Sequence, residues 1–311
     1  MLDQLNDYLL YLQTNNYSDE TIYNYDRDLK LFENYLQNNN LKFNKLTKKD
    51  IERYKAWLNS LDRETAGGLS PISDHKLLAR SINRSLSAIR SYLKYLVEMD
   101  IPAPLASEAI KLLKTTKKHA RVAELRDLIR LIEAPTKLEK NKLIALRNRA
   151  ILELLFSTGM RISELINLKM DKIDTSGKIF VLGKGKKERF VYMTARAYEH
   201  LKKYLAKRNS SSAYIFIPYR GLNTNAKDKK ISANYLQMKI KKYRELLQIN
   251  VPTSAHSLRH GFATYLAESG ANPAAIQILL GHESLDTTTR YVHASDRYAE
   301  KTHHDFHPLK K

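Results

Sequence analysis

The chain has no cysteine in its 311 residues. That excludes disulfides, thiolate zinc sites and cysteine nucleophiles, and it suits a reducing compartment. Long apolar runs are missing too: none approaches the roughly 20 residues that a membrane helix needs. The opening MLDQLNDYLLYLQ carries acids where a signal peptide would carry basic residues. The expectation is a soluble, unexported, cytoplasmic protein without membrane contact. There is no low-complexity tract and no internal repeat, and 43% hydrophobic with 28% charged residues is the composition of an ordinary globular chain. Several chemical signatures are absent as well. GKGKK (183–187) lacks the residue order of an ATP-binding P-loop, and no carboxylate cluster suits two-metal nuclease chemistry.

Positive charge is what the chain has in excess. Its 53 Lys and Arg against 33 Asp and Glu leave a formal charge of +20. Such a surface favours a polyanion, because each cation set against a phosphate releases condensed counterions. The excess is uneven: residues 1–115 hold 16 basic and 15 acidic side chains, while residues 116–311 hold 37 and 18. A length of 311 residues also favours two domains over one core.

The first hundred residues read as helices, with apolar residues three and four apart in Leu5, Leu9, Leu12 and in Ile22, Tyr25, Leu29, Phe32. Ser18 or Asp19 is the expected cap of the second helix. GGLSP (67–71) marks a loop. The run 79–97 predicts a strongly amphipathic helix, with Ile82, Leu86, Ile89 and Leu93 on one side and Arg80, Arg84, Ser87, Arg90, Ser91 and Lys94 on the other. That second side has four cations and no acid of its own, which makes it a candidate phosphate or groove contact; a plain solvated face is the alternative. IPAPL (101–105) and the basic stretch KTTKKHAR (114–121) break the helical pattern. The expected organisation is a helical domain over 1–105, a linker over 106–120, a second domain over 121–295 and a tail over 296–311.

In the second part, residues 143–156 predict a buried helix ended by Gly159 in the left-handed conformation, and ISELINL starts another. KIFVLG and RFVYM are β-type runs around a very basic tip, which predicts a hairpin. Helices are expected again over 194–207 and 232–248, then in HSLRHGFATYLAES, from Asn272 to Gly281, and from about Ser284 through Tyr291. The fold class is therefore mainly α with a small antiparallel β-sheet.

Helical phase sorts HSLRH (256–260) into His256, Arg259 and His260 on one side and Leu258 with the later Phe262 and Tyr265 on the other. A metal site is one reading, since His256 and His260 stand four apart and His282 offers a third nitrogen. Against it, no glutamate fills the second position as in HExxH, and Arg259 would oppose a cation. An arginine beside histidines suits an anion instead, because a guanidinium can fork two phosphoryl oxygens. Arg161 follows the Gly159 turn at a helix start, where backbone N–H groups favour phosphate; its plain alternative is pairing with Glu164. Lys184 in the hairpin tip would bring an ammonium near a leaving oxygen. Tyr291, in TTTRYVH, is one of 19 tyrosines and has no distinction on position alone.

TGMRISEL, GKGKKERFV, HSLRHGFATYLAESG, LLGHESLDTTTRYVH and the final HP resemble, in order and approximate spacing, the tyrosine recombinases of the Xer type. YSDETIYNYDRDLKLFENYL and INRSLSAIRSYLKYLVEMD resemble that family's helical N-terminal DNA-binding domain. The resemblance implies an α+β catalytic domain that clamps duplex DNA together with the N-terminal one. It implies Tyr291 as nucleophile, Arg161 and Arg259 on the non-bridging oxygens, and Lys184 as general acid for the departing 5′ oxygen. It further implies His256 in proton transfer with Tyr291, His282 as a hydrogen-bond donor to the phosphoryl group, and Glu164 in support of Arg161 or His256.

The product implied is a 3′-phosphotyrosine ester, rejoined without ATP, metal or other cofactor. Expected DNA contacts are Arg80, Arg84, Arg90 and Lys94 in the first domain and Lys186 and Lys187 in the hairpin tip. The partners implied are a double-stranded recombination site and four protomers, identical or paired with a homologue, in chromosome-dimer resolution or mobile-element integration and excision. The tail beyond Tyr291 would dock on a neighbouring protomer. Two other readings are a type IB-like topoisomerase and a non-catalytic DNA-binding protein of the same fold.

Overall fold

A computed structural model describes residues 2–60, 76–115, 122–174, 176–183, 188–221, 224 and 228–281. The chain divides into two compact units, Met1–Lys118 and His119–Lys311.

The first unit is helical: α1 (Leu5–Thr14), α2 (Asp19–Asn38), α3 (Lys48–Asn59) and α4 (Ala79–Glu98). Ser18 rather than Asp19 caps α2, accepting from the Thr21 N–H at 3.2 Å. Thr47 and Asp50 form a reciprocal capping box on α3, which satisfies two of the N–H groups a helix start leaves unpaired. The predicted apolar side of α4 is the buried one: Ile82, Leu86, Ile89 and Leu93 share a core with Tyr8, Leu12, Leu29, Phe32 and Tyr54. IPAPL is non-helical, followed by a 3-10 turn at Ser107–Ala109. GGLSP lies outside the described residues.

The second unit contains α5 (Leu125–Leu138), α6 (Lys142–Thr158), α7 (Ile162–Ile166), β1 (Lys178–Leu182), β2 (Glu188–Tyr192), α8 (Ala195–Leu205), α9 (Ala233–Leu246), α10 (Ala255–Glu268) and α11 (Pro273–Leu280). Helix α6 is buried on nearly every side and packs against α5, α8 and α10. Its buried polar residues are therefore paired: Arg149 with Glu153 and Glu133, and Glu153 also with Arg196 of α8. The strands form a two-stranded antiparallel sheet in which Val181 faces Arg189 and Phe180 faces Phe190. Alternation of side chains across a strand turns Ile179, Val181, Arg189 and Val191 inward and leaves Glu188, Phe190 and Tyr192 exposed. The fold is mainly helical with one small sheet, as the sequence predicts.

Candidate active site

Helix α6 ends where Gly159 takes φ 61°, ψ 18°, a left-handed conformation that costs a residue with a side chain roughly 1–2 kcal/mol. Space imposes the same choice. A Cβ at Gly159 would lie 2.4 Å from Cδ1 of Phe262 and 3.2 Å from Cδ2 of Leu280. The missing side chain lets α10 close on the end of α6, and that contact brings Arg259, one turn before Phe262, to the Gly159 carbonyl.

Two residues after the turn, Arg161 caps α7 with extended backbone. Its own N–H donates to Glu164 Oε2 at 2.7 Å, and its Nη1 donates to Oε1 at 3.0 Å. The Arg161–Glu164 pair expected as the plain alternative is therefore present, while one third of the Arg161 side chain stays exposed. Helix α7 is only five residues long, so the dipole behind its start is short, and the Arg161 N–H is already engaged.

Sequence reasoning missed Arg189. From the inward face of β2 its Nη1 donates to Glu164 Oε1 at 2.8 Å, its Nη2 to Oε2 at 2.7 Å, and its Nε to the Leu279 carbonyl at 2.9 Å. Both side chains are buried. Burial alone would raise the Glu164 carboxyl pKa, but the hydrogen bonds and charge of Arg189, then those of Arg161, pull it below the ordinary carboxylate range. The one sequence signal was the period of two in RFVYM, which puts Arg189 on the same face as Val191.

Arg259 is buried like a core residue. Its Nη1 donates to the Gly159 carbonyl at 2.7 Å and its Nη2 to the Leu280 carbonyl at 2.5 Å. These carbonyls end α6 and α11, where helix dipoles are negative and favour a cation. His256 lies one turn earlier in α10 and is exposed. Partial burial of its ring first, then the charges of Arg259 and Arg161, hold its pKa below the ordinary imidazole value. His260 stands edge-on to His256 with ring centroids 4.3 Å apart; burial first, then His256 and Arg259, bring its pKa down to about 4. Arg161 from one motif and Arg259 from another thus both act electrostatically on His256.

Lys184, Lys186, Lys187, His282 and Tyr291 lie outside the described residues. Among the described residues, no group of three His, Asp or Glu is placed to hold a metal ion. In the first unit, Arg80 and Lys94 are exposed and Arg90 is half-buried. Arg84 donates from Nε and Nη2 to both oxygens of buried Asp28, at 2.7 and 3.0 Å. Glu108 lies near Arg90 and Lys94; its hydrogen bond from Ser107, and then those two charges, hold its carboxyl below the ordinary range. The face that carries no acid in its own helix therefore acquires two from elsewhere.

A concavity of about 770 Å³ opens around the start of α6 and is lined by Arg147, Lys239 and Lys242 among others. It sits at the opposite end of a 17-residue helix, roughly 25 Å at 1.5 Å per residue, and is not part of the Arg161 cluster.

Residues 121–297 match the Phage integrase family, and residues 5–99 match the phage integrase N-terminal SAM-like domain. The chain is 32% identical over 307 residues to a tyrosine recombinase XerD of Staphylococcus haemolyticus (strain JCSC1435), covering 98% of each. Among solved structures it shares its fold with a XerH site-specific recombinase bound to a palindromic difH substrate in a post-cleavage complex. That likeness has a TM-score of 0.71 at 21% identity and covers 97% of this chain and 84% of that one. A lambda integrase tetramer bound to a Holliday junction shares the fold at a TM-score of 0.69 and 17% identity, over 95% and 77% of the two chains. With the family matched across both units and a relative of nearly the same length, the chain belongs to the Phage integrase family and is a site-specific tyrosine recombinase.

Proposed function

We propose that this recombinase cleaves one DNA strand at a time by attack of Tyr291 on a backbone phosphate held by Arg161 and Arg259. The single observation that carries this reading is that Arg259 of α10 is bound at 2.7 Å to the carbonyl of Gly159, two residues before Arg161, with His256 one turn before Arg259 in the same helix. A phenol with an ordinary pKa near 10 is a weak nucleophile at neutral pH. It needs a proton acceptor and nearby positive charge. His256, open to solvent and with its pKa held below the ordinary value, is the acceptor; Arg161 and Arg259 offset the negative charge that grows on the pentacovalent phosphorus. Lys184 protonates the departing 5′ oxygen and His282 donates a hydrogen bond to the phosphoryl group. Glu164 positions Arg161.

Tyr291 ends esterified to the 3′ phosphate, and attack of the free 5′ hydroxyl reverses the step. The energy of the original phosphodiester is retained, so religation needs no ATP, and the fixed cations supply the charge stabilisation that a metal would otherwise give. The substrate is duplex DNA, touched by Arg80, Arg84, Arg90 and Lys94 from the first unit and by Lys186 and Lys187 from the hairpin tip. Strand exchange on two such duplexes requires four protomers and passes through a Holliday junction; a lambda integrase of this fold is a tetramer on such a junction.

The test is covalent trapping on a nicked suicide substrate. Tyr291→Phe is expected to bind DNA as wild type does and to form no adduct. An adduct of undiminished yield would refute Tyr291 as the nucleophile.

A further inference from the structure

Arg189 stands on the inward face of β2 among Ile179, Val181 and Val191, where a buried cation has a cost unless each of its donors is used. The sharing of Glu164 between Arg189 and Arg161 is unequal. Arg189 takes the carboxylate as a two-pronged fork, Nη1 on Oε1 and Nη2 on Oε2. Arg161 takes one oxygen with its Nη1 and the other with its backbone N–H. The four acceptor positions of a carboxylate are thereby filled, so Glu164 cannot turn without breaking bonds in a nearly dry setting. Arg189 also donates to the Leu279 carbonyl near the end of α11. A Cβ on Gly281 would lie 3.0 Å from its Cδ, so α11 approaches Arg189 closely.

We propose that Arg189 is a positioning residue for strand cleavage: by occupying the fork of Glu164 it leaves Arg161 a single guanidinium bond to that acid and turns the rest of the Arg161 fork toward the phosphate. Without Arg189, the buried carboxylate would take Arg161 into a fork of its own, withdrawing from the phosphate the group that must bind it. Lysine is no substitute, because an ammonium is a point donor that cannot make the planar fork and also reach Leu279. The inference rests on the proposed role of Arg161 as a phosphate clamp.

The experiment measures single-turnover adduct formation by the full-length protein on two suicide duplexes. One is unmodified, and the other carries a methylphosphonate at the scissile position, which removes one negative charge and with it the need for one cation. Arg161→Ala, Arg189→Met and Arg189→Lys are compared with wild type. On the unmodified duplex the Arg189 variants are expected to lose about 10- to 100-fold in cleavage rate, with binding of the intact site unchanged. On the neutralised duplex that loss is expected to shrink together with the loss in Arg161→Ala. Rescue of Arg161→Ala without rescue of Arg189→Met would overturn the positioning role and leave the clamp standing. Failure to rescue Arg161→Ala would overturn the clamp and this inference with it.

Arg189→Met strands a buried carboxylate and threatens folding, so the double variant Arg189→Met/Glu164→Gln is the companion. It removes the unpaired charge. With Glu164→Gln as the other single variant, a double variant that folds and loses less in cleavage rate than the product of the two single losses supports the proposal, since no carboxylate remains to capture Arg161; losses that multiply refute it.

Discussion

Gly159→Ala is the most informative single change, because it separates two demands that fall on one atom. The methyl group must first be accommodated at φ 61°, at a cost of about 1–2 kcal/mol. It must also displace Phe262, whose Cδ1 would sit 2.4 Å away, far inside contact distance. Forcing such an overlap into a packed interior costs about 1–3 kcal/mol. The expected loss of stability is about 3 kcal/mol, equivalent to a fall in Tm of roughly 6–12 °C for a unit of this size. The damage also has a direction. Moving Phe262 moves α10, and the Gly159 carbonyl is one of two that hold Arg259. Cleavage measured well below the new Tm is therefore expected to be slowed as well. The assay is thermal unfolding beside single-turnover adduct formation, repeated in Gly159→Ala/Phe262→Ala. Shrinking the ring removes the overlap while leaving the backbone cost, so the double variant is expected to lose less stability than the losses of Gly159→Ala and Phe262→Ala added together. Strict additivity, or a loss in the single variant below about 1 kcal/mol, the floor of the backbone cost alone, would refute the reasoning.

Two further expectations concern charge. His260 has its pKa lowered from the ordinary 6.5 to about 4, so the unfolded chain binds its proton first. Its contribution to stability is present above pH 6.5 and is lost as the pH falls toward 4. At about 1.4 kcal/mol per unit the shift sets an upper limit near 3 kcal/mol, and partial exposure of the ring reduces this to about 1–2 kcal/mol. Urea unfolding across that range is expected to show the slope in wild type and a shallower one in His260→Gln; equal slopes would refute it. Arg84→Ala removes both charged hydrogen bonds from buried Asp28 and is expected to destabilise by about 1.5–3 kcal/mol. Arg80→Ala, on an exposed residue, is expected to stay within about 0.5 kcal/mol and to show its effect in salt-dependent DNA binding. Indistinguishable stabilities would contradict the Asp28 pairing.

The parts of this molecule that were legible in the sequence are those that depend on neighbours along the chain. The apolar side of α4, the left-handed end of α6, the hairpin and the one-sided placement of His256 and Arg259 follow from periodicities of 3.6 and 2 and from the conformational freedom of glycine. What stayed hidden depends on which elements meet. The basic side of α4 holds no acid in its own sequence because Asp28 belongs to α2 and Glu108 to a later turn. Arg189 carries no mark in the sequence beyond sharing a strand face with Val191, since nothing in RFVYM reveals that this inward face meets Glu164 from α7 and a carbonyl from α11. The burial of Arg259 was equally invisible: helical phase gives it the same side as His256, but the ends of α6 and α11 enclose one and leave the other open.

That enclosure has a consequence for when the work of binding is done. A guanidinium normally sheds water as it meets a phosphate, and the lost hydration works against the new contact. Arg259 sheds it as the chain folds, with the carbonyls of Gly159 and Leu280 replacing water at two of its nitrogens. In the proposed site, an arriving phosphate meets a cation already dehydrated and oriented, so little of the attraction between them is spent on rearrangement.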